Sequence, residues 1–170
     1  MATKTKTTST PPKDSPKDSM IGKKAPSFKL PSNTGDLIDL KDYAGKTVVL
    51  FFYPKDMTPG CTQEACDFRD EYTRFKKQGA VVFGISKDPV TSHAKFVEKY
   101  ELPFLLLSDE SGAICEKYGV WKEKSMYGKK YMGIDRSTFI IDTTQKVTHA
   151  YRSVKVPNHV DEVFEAITNL

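Results

Sequence analysis

Val48-Val49-Leu50-Phe51-Phe52-Tyr53-Pro54-Lys55-Asp56-Met57-Thr58-Pro59-Gly60-Cys61 is the stretch on which the reading turns, with Cys66 five residues further on. The unbroken apolar run from Val48 to Tyr53, β-branched and aromatic, reads as a buried strand. Pro54, Pro59 and Gly60 break it into a loop. A helical pattern then begins at or near Cys61. A cysteine at a helix N-terminus faces unpaired backbone N–H groups and the positive end of the helix dipole, which favours its thiolate. Cys66 lies close enough in sequence to trap an oxidised form of Cys61. The layout points to thiol redox chemistry.

Outward from this stretch, strands and helices alternate. Ala65, Phe68, Tyr72 and Phe75 are spaced for one face of a helix over Cys61–Lys77, which Gly79 stops. Ala80–Ser86 is the next buried strand. Asp88-Pro89 reads as an N-cap with proline at the first helical position, and that helix runs to about Tyr100 with Val90, Ala94, Val97 and Tyr100 inward. Phe104–Leu107 is a third core strand, followed by a turn and a short helix through Tyr118. Ser137–Asp142 and Lys146–Arg152 read as strands joined by a turn, and Val160–Ile167 as a closing helix. Upstream, residues 27–30 and 36–39 form a hairpin about Asn33-Thr34-Gly35. The fold class is α/β, with a mixed central sheet flanked by helices and an N-terminal β-hairpin.

A chain of 170 residues is enough for one domain with a real core. Residues 1–20 are Thr, Lys, Ser, Pro and Asp with almost nothing apolar and read as a disordered tail; the domain spans 21–170. Half of the formal net charge of +4 sits in that tail, and the rest is spread over a domain rich in both signs. That charge is too weak and too mixed to indicate nucleic acid. No apolar stretch is long enough to span a membrane, and the N-terminus lacks the apolar core of a secretory signal. Three cysteines do not make a disulfide scaffold, and a reactive thiol that must be regenerated belongs in a reducing compartment. The expected location is the cytoplasm, with the lysine-bearing tail leaving the nucleus open.

Pro54-x-x-x-Thr58-x-x-Cys61 resembles the active-site signature of peroxiredoxins. The longer string from Tyr53 to Asp70 resembles the bacterioferritin-comigratory-protein, or Q-type, subgroup. A second match lies downstream, at Gly119-Val-Trp121, Lys124-Ser125, Tyr127-Gly128-Lys129 and Gly133 to Asp142. The resemblance spans about residues 21–170 and implies a thioredoxin-like fold, in agreement with the element order. It implies a thiol peroxidase that reduces hydrogen peroxide and organic hydroperoxides without a bound cofactor or metal. Cys61 is then the peroxidatic nucleophile and Cys66 the resolving cysteine, joined in an intramolecular disulfide that thioredoxin or a similar dithiol reduces. Arg136 is the active-site arginine, and Pro54 shields the thiolate and shapes the loop. Members with this cysteine spacing are often monomers, and a monomer is expected.

Ionisation alone cannot make a peroxidase. An ordinary thiol, with a pKa of ~8.5, is about 3% thiolate at pH 7, so full ionisation gains at most ~30-fold, or ~2 kcal/mol. The rest must come from polarising the O–O bond and stabilising the leaving oxygen. The Thr58 hydroxyl, the Cys61 N–H and Arg136 are suited donors, with Glu64 a candidate to orient an arginine. If residues 61–66 are helical, the two cysteine Cα atoms lie roughly 8–9 Å apart, whereas a disulfide needs less than ~7 Å. The helix must therefore open after oxidation.

Cys115 has no motif around it and reads as core. His93, His149 and His159 are scattered and read as surface or packing residues. Trp121 and Tyr127 are candidates to line the site. Cys61 and Cys66 lack the spacing of a zinc knuckle. A disulfide oxidoreductase of thioredoxin type is disfavoured by the absence of Cys-x-x-Cys. A redox sensor or holdase would use the same cysteine without multiple turnover.

Overall fold

The computed structural model describes residues 18–170; residues 1–17, most of the expected tail, lie outside the described residues. The strand read first, β3 (Thr47–Phe52), is the middle of a five-stranded sheet and is buried along its whole length. The other strands of this sheet are β4 (Ala80–Ser86), β5 (Leu105–Ser108), β8 (Ser137–Ile141) and β9 (Val147–Tyr151), in the order β5-β4-β3-β8-β9. β3, β4 and β5 run parallel, whereas β8 and β9 are antiparallel to their neighbours. Parallel neighbours need crossovers, supplied by α1 (Pro59–Lys77) and α2 (Val90–Tyr100). The chain closes with α4 (His159–Thr168), after a short α3 (Ala113–Lys117). β1 (Lys29–Pro31) and β2 (Leu37–Asp39) form the expected N-terminal hairpin. No helix among the described residues is long and apolar enough to cross a membrane.

Alternation along β3 divides the core in two. Val48, Leu50 and Phe52 face Cys115, Tyr118, Phe139 and Ile141. Val49, Phe51 and Tyr53 face the other way, with Cys61, Phe68, Phe75, Phe96 and Val163. Phe51 stacks on Phe68 with ring centroids 4.7 Å apart. Gly84 makes room for Phe51: a Cβ there would lie 2.8 Å from the ring and 2.7 Å from Leu106.

Four local expectations are corrected. α1 begins at Pro59, two residues before Cys61, because proline suits the first helical position and Thr58 is extended before it. Asp88 does not cap α2: Pro89 takes that position, and the Asp88 carboxylate accepts from the Asp56 N–H and the Ser86 hydroxyl. The buried face of α2 carries His93 and Phe96, while Ala94 is exposed. The last residues of the expected tail pack on the domain, since Arg152 donates to the Asp18 carboxylate at 2.7 Å and Met20 packs against the core.

One element is unforeseen. β6 (Trp121–Met126) and β7 (Lys129–Ile134) form a hairpin separate from the central sheet. Its turn residues, Tyr127 and Gly128, have φ of 52° and 80°. Two successive positive φ values match the right-handed twist of a hairpin, and glycine accepts the second without strain.

Candidate active site

β3 ends where the loop of residues 53–58 begins, and the loop delivers the chain to the N-terminus of α1. Proline at position 59 has no N–H, and the first intrahelical bond runs from Thr62 N–H to the Thr58 carbonyl. The N–H groups of Gly60 and Cys61 therefore precede the helical ladder, at the positive end of the dipole. Cys61 sits there with 1% of its surface exposed.

Arg136 lies in the two-residue link between β7 and β8. Ser137 pairs with Phe52, so the start of β8 lies beside the end of β3, and Arg136 faces the first turn of α1. Its Nη2 donates to Cys61 Sγ at 3.5 Å, and its Nη1 donates to Glu64 Oε1 at 2.7 Å. Glu64 is fully buried, and its Oε2 has no hydrogen-bond partner among the described residues. Burial pushes the Glu64 carboxyl up to about 7, against the pull of the guanidinium. Burial also opposes the charge on Arg136, but Glu64 and Cys61 outweigh it and raise Arg136 above its ordinary range.

Gly60 is a part of this site that sequence reading missed. A Cβ on Gly60 would lie 3.1 Å from Arg136 Nη2. The absent side chain lets the guanidinium approach the helix terminus. Its place immediately before the cysteine is the only signal.

The expected residues divide by geometry. Cys61, Arg136 and Glu64 are brought into one cluster. Thr58 adjoins it through the backbone, and its hydroxyl donates to the Lys55 carbonyl at 2.8 Å. Pro54 is exposed at the start of the loop. Cys66 is half-buried on the same unbroken helix as Cys61. Burial pushes its thiol up; Arg69 draws it down, while Asp70 and Asp67 push it up further. Cys115 is in the core on the other side of the sheet, where burial and then Asp109 push its thiol far above the ordinary range.

Trp121 and Tyr127 do not line the site. Tyr127 is 98% exposed at the tip of the hairpin. Trp121 packs against the core opposite Cys61, with Lys87 Nζ 4.1 Å above its ring. Neither joins the Cys61–Arg136–Glu64 cluster, because Tyr127 is at the hairpin's tip and Trp121 packs on the other face of the sheet.

His93 is a packing residue with a consequence for the loop. Its Nδ1 lies 2.7 Å from Asp56 Oδ2 and its Nε2 3.0 Å from the Leu107 carbonyl, so both ring nitrogens face acceptors. Asp56 also accepts from the Tyr53 hydroxyl at 2.6 Å and from Ser92 at 2.7 Å. The network ties the loop to α2 and β5. Asp56, Asp88 and His93 lie close enough to share a cation, but both Asp56 oxygens and Asp88 Oδ2 already accept bonds from protein donors.

A cysteine at a helix N-terminus, with a guanidinium on its sulfur, is an arrangement suited to a thiol oxidoreductase. Comparison with known proteins narrows the class. The profile of the AhpC/TSA family matches residues 21–150. A putative peroxiredoxin Bcp of Coxiella burnetii is 52% identical over 143 residues, covering 84% of this chain and 95% of that protein. Peroxiredoxin Bcp of Bacillus subtilis is 49% identical over 150 residues, covering 88% and 96%. The solved bacterioferritin comigratory protein of Xanthomonas campestris superposes with a TM-score of 0.80 at 42% identity, covering 84% of this chain and 90% of that one. The chain belongs to the AhpC/TSA family, and within it to the peroxiredoxins of Bcp, or Q, type: it is a peroxidase on a thioredoxin-like fold.

Proposed function

We propose that Cys61 is the peroxidatic cysteine and Cys66 its resolving partner. The observation that carries the reading is the 3.5 Å approach of Arg136 Nη2 to a sulfur held at the N-terminus of α1. The Cys61 thiolate attacks one peroxide oxygen; an S–O bond forms, the O–O bond breaks, and the leaving oxygen departs with the electron pair and takes a proton. Arg136 and the Cys61 N–H stabilise the charge on the oxygens as it develops. Thr58 contributes its hydroxyl after exchanging the Lys55 carbonyl for substrate, and Pro54 limits access at the loop. Hydrogen peroxide and organic hydroperoxides both fit this chemistry, and the structure of the Xanthomonas relative was solved in connection with alkyl peroxide reduction.

Cys61 is then a sulfenic acid. The first turns of α1 unwind, the Cys66 sulfur attacks the Cys61 sulfur, and water leaves with the thiol proton. Unwinding also frees Cys66 from the burial that holds its thiol up. The Cys61–Cys66 disulfide is returned to two thiols by two electrons and two protons from thioredoxin or a similar dithiol. Because both cysteines are in one chain, no second subunit is needed, and the reading is of a monomer in the cytosol. Cys115, across the sheet, takes no part.

The test is turnover of hydrogen peroxide coupled to NADPH through thioredoxin reductase and thioredoxin, in wild type and Cys61→Ser. The wild type should turn over repeatedly and the variant should not. Single turnover by the wild type would favour a sensor.

A further inference from the structure

The described residues leave seven large apolar side chains exposed, and four of them, Met126, Tyr127, Tyr131 and Met132, are on the β6–β7 hairpin. The same hairpin holds Lys122, Lys124, Lys129 and Lys130 against the single Glu123. Residues 21–170 carry a formal +2 and the hairpin alone +3, so the rest of the domain is slightly negative. The positive charge is local to this ribbon.

Register sorts these side chains. Lys122 pairs with Gly133, Lys124 with Tyr131 and Met126 with Lys129, so three lysines, a tyrosine and a methionine share one face. The opposite face is rooted in the body by Trp121 and Ile134. Lys122 lies 3.8 Å from Asp135 and Lys130 3.8 Å from Glu123, while Lys124 and Lys129 have no carboxylate partner among the described residues.

The root of the ribbon is two residues along the chain from Arg136. β7 runs through Asp135 into Arg136, whose guanidinium touches Cys61. The hairpin therefore leads, within two residues, into the arginine at Cys61. We propose that the Lys122–Lys124–Lys129 face with Met126 and Tyr131 docks the disulfide reductant, a protein dithiol with an acidic rim. This rests on the reading of Cys61 and Cys66 given above. The small size of the ribbon suits a redox encounter, which buries less than ~1,200 Å². Opposite charge speeds association and makes it sensitive to salt. In the reaction a thiolate of the partner attacks one sulfur of the Cys61–Cys66 disulfide, and the other cysteine leaves as a thiol. The second thiol of the partner then breaks the mixed disulfide.

Two variants test this: Lys122→Glu/Lys124→Glu/Lys129→Glu, and Met126→Ser/Tyr131→Ser. Rapid mixing would follow oxidation of each reduced protein by hydrogen peroxide. It would then follow reduction of each disulfide by an acidic thioredoxin and, separately, by dithiothreitol, which is small and uncharged. Reduction by thioredoxin should slow at least tenfold in the charge variant and lose its salt dependence, and slow several-fold in the apolar variant. The peroxide step and reduction by dithiothreitol should stay within twofold of wild type. An unchanged thioredoxin rate in both variants would overturn the proposal, as would an equal slowing with dithiothreitol. A wild-type dimer that the variants dissociate, or duplex DNA binding that charge reversal abolishes, would assign the face to a second copy or to nucleic acid and overturn it too. A wild type that does not react with peroxide at all would remove the functional reading itself.

Discussion

Glu64 and Arg136 meet at 2.7 Å beside the Cys61 sulfur, with the second carboxylate oxygen of Glu64 left without a hydrogen bond among the described residues. Burial holds this carboxyl at about 7 in the folded protein, against an ordinary 4.5. Between those values the folded state binds more protons than the unfolded state. Stability from this group is therefore present at low pH and lost as pH rises through the window. Glu64→Gln removes the slope while keeping an acceptor for Arg136. The melting temperature of the variant, relative to wild type, should rise between pH 4.5 and pH 7.5, by about 2–4 °C for each kcal/mol. Parallel melting curves over that range would show that Glu64 keeps an ordinary carboxyl.

Gly60→Ala should separate the site from the fold. The new Cβ would press on Arg136 Nη2 from 3.1 Å, and Nη1 is already fixed on Glu64, so the guanidinium must move by a few tenths of an ångström. Full loss of such a donor costs ~2.7–4 kcal/mol, and a partial loss of about 1 kcal/mol is roughly fivefold in rate. Alanine is the better helix former by up to ~1 kcal/mol. Oxidation of Cys61 should slow several-fold in stopped flow while thermal stability is unchanged or slightly raised. An unaltered rate would mean that Arg136 does not act at its observed position.

The contrast between β3 and the β6–β7 hairpin shows what a single sequence can carry. Val48 to Tyr53 is buried throughout, so composition alone marks it. Lys122 to Met132 is mostly exposed, and a ribbon with so little burial has no hydrophobic period to detect. The phase of α2 is misread for a related reason. His93 is polar by type, and the partners that let it sit inward, Asp56 and the Leu107 carbonyl, are 37 and 14 residues away. Cys61 and Arg136, 75 residues apart, are legible as a pair only through resemblance to a family, because nothing local links them. Gly60, which is small beside Arg136, is marked in the sequence only by its place before Cys61.

The buried Asp56–His93 contact, 2.7 Å long, should lock the loop onto α2. Removing one partner of a buried hydrogen-bonded pair typically costs ~1–3 kcal/mol, because the other polar group stays buried without that partner. His93→Leu should therefore destabilise strongly, although Tyr53 and Ser92 still donate to Asp56. Asp56→Ala/His93→Leu removes both partners and should cost less than the sum of the two single losses. Urea unfolding of the two single variants and the double gives the coupling directly. Additive losses would show that the contact carries no specific energy.

The decisive feature for the proposed catalytic cycle is that α1 is unbroken across Cys61 and Cys66. Five residues of helix put their Cα atoms roughly 8–9 Å apart, too far for a disulfide, which needs less than ~7 Å. If the two cysteines pair, the first turns of α1 must open, and Cys61 must leave its place among Tyr53, Ala65 and Phe68. Amide hydrogen exchange in residues 61–70 should be slow in the reduced protein and rise on oxidation, while β3 and β4 stay protected. Cys66→Ser should leave the first reaction with peroxide fast, since the Arg136 bonds at the site go to Cys61 and Glu64. Its sulfenic acid should persist, then over-oxidise or react with an external thiol. In that variant exchange over residues 61–70 should stay slow after one equivalent of peroxide, because no bond holds the helix open. Mass spectrometry of oxidised wild type should find Cys61 joined to Cys66. A link from Cys61 to Cys115 would require the two faces of the sheet to exchange contents, and finding it would overturn the resolving role of Cys66 and the local unwinding together.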